Sequence, residues 1–64
     1  MENMTIRLEA RKREVPLRLL AAELGISEPT LYRRLARKMT REDRERYLTA
    51  IRTVSQRQNA THTG

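Results

Sequence analysis

Between Leu17 and Leu35 the chain reads LRLLAAELGISEPTLYRRL, two short apolar-periodic segments on either side of Gly25. The first carries Leu17, Leu20, Ala21 and Leu24; the second carries Leu31 and Leu35, an i, i+4 pair on one helix face. Gly25-Ile26-Ser27 leaves room only for a tight turn between them. The pattern predicts one helix over 16–24, with Pro16 in its first turn and Gly25 ending it. It predicts another over 28–38, with Ser27 as N-cap and Pro29 in the first turn, where a missing N–H costs little.

The flanking segments read differently. Met4, Ile6, Leu8 and Ala10 alternate with polar residues, which is a strand period, while Met4 and Leu8 also fit one helix face. A strand ahead of two helices would resemble the ribbon-helix-helix proteins, but Pro16 would interrupt the long first helix of that fold. The helix-forming run Glu9 to Glu14 favours a helix over 4–14, ended by the restriction that Pro16 places on Val15. Thr40 caps a further helix, with Glu42 and Asp43 at its positive dipole end. Tyr47, Leu48, Ile51 and Val54 form the apolar face of that helix. The end of the chain has no apolar period, so 59–64 is expected to be a disordered tail. The expected fold is all-α: a three- to four-helix helix-turn-helix domain over 1–58.

Composition narrows the role of such a fold. The chain has 64 residues and no cysteine, so neither a disulfide nor a Cys/His metal site staples its small core. A tight helical core or dimerisation must stabilise it instead. The formal net charge is +6, and every basic residue except Lys12 and Lys38 is arginine. That balance favours an anionic partner, nucleic acid first, because the arginine fork matches phosphate and guanine. No apolar run approaches the roughly 18 residues that span a membrane, and the expected location is the cytoplasm, in association with the nucleoid. The only histidine, His62, lies in the tail, and the carboxylates are scattered among arginines. No phosphate loop and no nucleophile–base pair is present, so no catalysis, cofactor, metal or small-molecule ligand is expected.

In a helix-turn-helix the second helix enters the major groove while its opposite edge packs on the first. Leu20, Ala21, Leu24, Ile26, Leu31 and Leu35 form the inner face here, and Glu28, Pro29, Thr30, Tyr32, Arg33 and Arg37 fall on or near the outer one. Residues 17–35 resemble bacterial helix-turn-helix units. Pro29-Thr30-Leu31-Tyr32 is similar to the DNA-binding heads of the tetracycline-repressor family. Ala21, Gly25, Ile26 and Leu31 sit at the spacing that this family shares with the C-terminal modules of resolvases and invertases. The likeness covers about a third of the chain. Neither an inducer-binding domain nor a recombinase catalytic domain is expected with it, because one further predicted helix closes the chain.

The resemblance implies roles for individual residues. Pro29 and Thr30 would meet bases through a thymine methyl or a hydroxyl bond, and Arg33 would make a bidentate contact to guanine. Glu28 would either accept from a cytosine amino group or serve the helix N-terminus. Arg18, Ser27, Tyr32, Arg34, Arg37 and Lys38 would touch phosphates. One such helix reads only a few base pairs, so a homodimer on an inverted repeat is expected, with Leu48, Ile51 and Val54 at the subunit contact. The expected function is sequence-specific double-stranded DNA binding, as a transcriptional repressor of the phage, plasmid or mobile-element kind. The alternatives are a recombination directionality or architectural DNA-binding factor, and a protein-interaction module docking on an acidic partner.

Overall fold

A computed structural model describes the backbone of residues 4–63 and the side chains of residues 4–58. Four helices follow in chain order: α1 (Met4–Lys12), α2 (Leu17–Leu24), α3 (Glu28–Leu35) and α4 (Arg41–Thr63). No strand occurs among the described residues, so the helical reading of the N-terminal segment holds. α4 packs against both α1 and α2, and α2 packs against α3. At about 1.5 Å per residue α4 is roughly 34 Å long, close to the 38 Å long dimension of the molecule.

One core joins the four helices. Ile6 and Ala10 of α1, Leu20 and Ala21 of α2, Leu31 and Leu35 of α3, and Tyr47, Ala50, Ile51 and Val54 of α4 are buried together, with Val15 from the first turn. Leu24 and Ile26 pack against this cluster half-buried. The inner face of α2 and α3 is therefore the one the sequence pattern marks. α1 differs. Met4 is 44% exposed and Leu8 56% exposed, while Ile6 and Ala10, also at i, i+4, face inward. The small Ala10 lets α1 approach α4 closely, and its carbonyl accepts the N–H of buried Val15 at 2.8 Å, so the turn and the inward face are set together.

α1 and α2 end in the same way. The Val15 N–H reaches the Ala10 carbonyl and the Glu14 N–H the Arg11 carbonyl at 3.0 Å. The Ile26 N–H reaches the Ala21 carbonyl at 3.0 Å and the Gly25 N–H the Ala22 carbonyl at 3.1 Å. Both are Schellman turns, and each drops an apolar residue, Val15 or Ile26, back against the core. The geometry needs a left-handed residue at its centre. Gly25 supplies it at φ 73°, but α1 uses Glu14 at φ 56°. Because Glu14 occupies this turn, α1 ends at Lys12 and stops short of the 14 predicted.

The N-termini are also made locally. Pro16 stands just outside α2 as its N-cap residue, in extended backbone, and not inside the first turn as expected. The Thr40 hydroxyl accepts the Asp43 N–H at 3.1 Å and caps α4. Glu23 of α2 and Arg57 of α4 are ion-paired at 3.0 Å, an exposed contact worth at most about 1 kcal/mol. Along α1, Arg13 donates to Glu9; this hydrogen bond, aided by the charges of Arg13, Lys12 and Arg52, holds the Glu9 carboxyl below its ordinary range. The folded form is the one with the lower pKa, so the pairing supports folding at neutral pH and fades as acid protonates Glu9.

Two expectations about α4 are corrected. Its helical backbone runs through Thr63, past the start of the tail assigned to 59–64. The stretch from Ser55 to Thr63 contains neither proline nor glycine, so a helix nucleated on the core propagates into it. The side chains of 59–63, His62 included, lie outside the described residues. Second, Ile51 is 0% and Val54 5% exposed within a single chain. Those side chains are used by the chain's own core and cannot also form a subunit contact; Leu48 is half-buried.

Three substitutions test this description in urea unfolding. Glu14→Gly should stabilise the fold by about 0.5–1 kcal/mol and Gly25→Ala should destabilise it by about 1 kcal/mol. No atom lies within 4 Å of a Cβ added at Gly25, so that cost is the backbone's alone. Ile51→Ala should cost about 2–5 kcal/mol. The Ile51→Ala loss should be the same at every protein concentration, whereas a loss that grows on dilution would return Ile51 to a subunit interface.

Candidate nucleic-acid interface

α3 begins at a double bond between two hydroxyl residues. The Ser27 oxygen accepts the Thr30 N–H at 3.3 Å, and the Ser27 hydroxyl donates to the Thr30 side-chain oxygen at 2.9 Å. Pro29 follows in the first turn, where its lack of an N–H leaves no bond unmade. Ser27 is thus occupied in holding the helix end. The Thr30 oxygen is half committed, and its own proton remains available to a ligand.

Leu31 and Leu35 fix the rotation of α3 about its axis, because both are buried. Arg33 lies two residues from each. At about 100° per residue it projects directly away from the core. Pro29 lies within a few tens of degrees of the same direction. Both residues are exposed, as are Glu28, Tyr32 and Arg34, while Thr30 is half-buried. The guanidinium of Arg7 on α1 stands 6.0 Å from the centre of the Tyr32 ring, a cation–π contact. It positions the 44%-exposed Tyr32 ring and brings a cation of α1 to the flank of α3.

α3 is shorter than the predicted 28–38. It stops at Leu35, and the Ala36 N–H is shared between the Tyr32 and Arg33 carbonyls at 3.1 and 3.2 Å. The Arg37 N–H then bonds the Arg34 carbonyl at 3.2 Å, a tighter turn. The chain must reverse here and reach Thr40 in capping geometry, which a helix continued to residue 38 would prevent. Arg37 and Lys38 therefore sit in the turn between α3 and α4.

Two open depressions mark this side of the molecule. Thr30, Arg33, Arg34 and Arg37 line the first. The second lies beside it, between the end of α2 at Leu24 and the first turns of α4, with Met39 and Tyr47 among its lining. Arg34 and Arg37 belong to both, and Lys38, Asp43 and Arg46 to the second. The fold thus gathers Thr30, Arg33, Arg34, Arg37 and Lys38 onto one basic surface. Ser27, Glu28 and Pro29 lie at the N-terminal end of α3, and exposed Arg18 lies in the first turn of α2; none of these four lines either depression.

The sequence reading missed Arg7 and Arg46. Both are separated in the chain from the helix pair they adjoin, and nothing local marks them. No group of His, Cys, Asp or Glu among the described residues has metal-binding arrangement, and no described helix is long and apolar enough to cross a membrane. No protein-family model, curated protein or solved structure matches the chain.

The Ser27–Thr30 cap carries its own test. Ser27→Ala should cost about 1 kcal/mol and speed hydrogen exchange of the Thr30 amide beyond the acceleration that this loss of stability gives to α1 and the rest of the core. Uniform acceleration across the chain would contradict a local cap.

Proposed function

We propose that this chain is a sequence-specific double-stranded DNA-binding protein that inserts α3 into the major groove and represses transcription by occupying its site. The observation that carries the reading is the direction of Arg33, opposite the buried Leu31–Leu35 edge, on a helix capped to present Pro29 and Thr30 beside it. An α-helix with its side chains is about 10–12 Å across, so α3 fits a major groove about 12 Å wide. A bidentate Arg33 contact to guanine supplies base discrimination, and Arg34, Arg37 and Lys38 hold the backbone on one side. Tyr32, steadied by Arg7, borders the helix on its other flank.

One helix of this length reads only a few base pairs. Two copies on an inverted repeat supply the remaining specificity, through a contact that does not involve Ile51 or Val54. No step of chemistry is required: occupancy follows from affinity and concentration.

Selection of duplexes from a random pool at moderate salt should enrich a short motif with inverted symmetry, and recovery of no motif would overturn the reading. Arg33→Ala should cost about 1–3 kcal/mol and relax the preference at one base position. If Arg33→Ala lowered affinity equally for all sequences, Arg33 would be a phosphate contact and the base reader would lie elsewhere on α3.

A further inference from the structure

The second depression has a feature that the helix pair does not explain. Tyr47 is only 3% exposed, yet its hydroxyl has no hydrogen-bond partner among the described residues. No side-chain oxygen or nitrogen there is both fully buried and unpaired, so this hydroxyl is open to solvent, and Tyr47 meets solvent where it lines the depression. Around it stand Arg34, Arg37, Lys38 and Arg46, with Asp43 as the one carboxylate. The depression thus combines a phenol hydroxyl, on a side chain otherwise immobilised by the core, with four cationic side chains along its lining. The complementary ligand is an anion with several oxygens, and arginine forks match phosphate geometry.

We propose that this depression is a phosphate-binding site, taking a backbone phosphate of the DNA strand that borders the groove entered by α3. The proposal rests on the DNA-binding reading above. Its geometry follows from Arg34 and Arg37, which line both depressions and so place the site next to the outward face of α3. Two of its donors, Arg46 and Tyr47, belong to α4, as does Asp43. The fourth helix thereby serves recognition as well as the core, and one residue, Tyr47, joins the two roles: its ring is packed inside and its hydroxyl is offered outside.

The test uses three substitutions in the full chain, each checked for an unchanged unfolding curve. Tyr47→Phe removes an oxygen with no hydrogen-bond partner among the described residues, Arg46→Gln alters an exposed side chain, and Asp43→Asn keeps the backbone N–H that Thr40 caps. In anisotropy titrations of a selected duplex over a salt series, Tyr47→Phe should weaken binding about tenfold. Arg46→Gln should reduce the slope of log affinity against log salt by about 1. Asp43→Asn should tighten binding, and the preferred base sequence should be the same in all three. Wild-type affinity and slope in both Tyr47→Phe and Arg46→Gln would overturn the site while leaving DNA binding intact.

A second arm separates the two readings. Inorganic phosphate added at constant ionic strength should shift the Tyr47 ring signals in NMR spectra saturably, and Arg46→Gln should abolish the shift. If the protein bound no duplex but kept this saturable response, the DNA reading would fail and the site would stand as a receptor for free phosphate esters. Absence of both responses would overturn the site.

Discussion

The burial of Leu31 and Leu35 is the constraint from which the rest of the molecule follows. An eight-residue helix is too short to hold its form in water alone, so α3 exists only because one edge of it is fastened to the shared core. Ala21 is what permits the fastening, since its small side chain lets α2 and α3 approach. Once that edge is fixed, a rotation of about 100° per residue leaves no freedom in where Arg33 points. The Ser27–Thr30 cap and the turn at Ala36 then set where the helix starts and stops.

α4 provides the other half of that constraint. A chain this short has one core, and Tyr47, Ala50, Ile51 and Val54 form a continuous side of it along most of the described part of α4. Ile51 and Val54, expected at a subunit contact, are part of the core of the single chain. The polar side of α4 is therefore what remains for other work, and its first turns, with Arg46 beside Tyr47, lie against the basic surface of α3. Core and recognition thus meet at the junction of α3 and α4.

The parts of the fold legible in the sequence are those written in local chemistry. Gly25 marks a left-handed turn, Ser27 and Thr40 mark caps, and Leu31 with Leu35 marks an edge; the structure carries all of them. Less legible was the Glu14 turn, because a glutamate in left-handed conformation has no signature and only the demand to tuck Val15 against Ala10 explains it. The inward face of α1 is not written in the apolar period alone. Met4–Leu8 and Ile6–Ala10 are both i, i+4 pairs, and the larger side chains lost to the pair that allows close approach to α4. On the candidate site, the outward residues of α3 follow from the period alone. Arg7 and Arg46 do not, since their proximity to α3 arises from packing across the chain.

The central claim is that the surface opposite the Leu31–Leu35 edge meets duplex DNA. The most direct measurement is an NMR map of backbone and side-chain shifts as duplex of the preferred sequence is added to the labelled protein. The account predicts that the largest changes fall on Thr30, Arg33, Arg34, Arg37 and Lys38 and extend to Arg46 and Tyr47, with Ile6, Ala10 and Ile51 little affected. Changes concentrated instead on the exposed Met4–Leu8 face of α1, or spread evenly over the molecule, would contradict it.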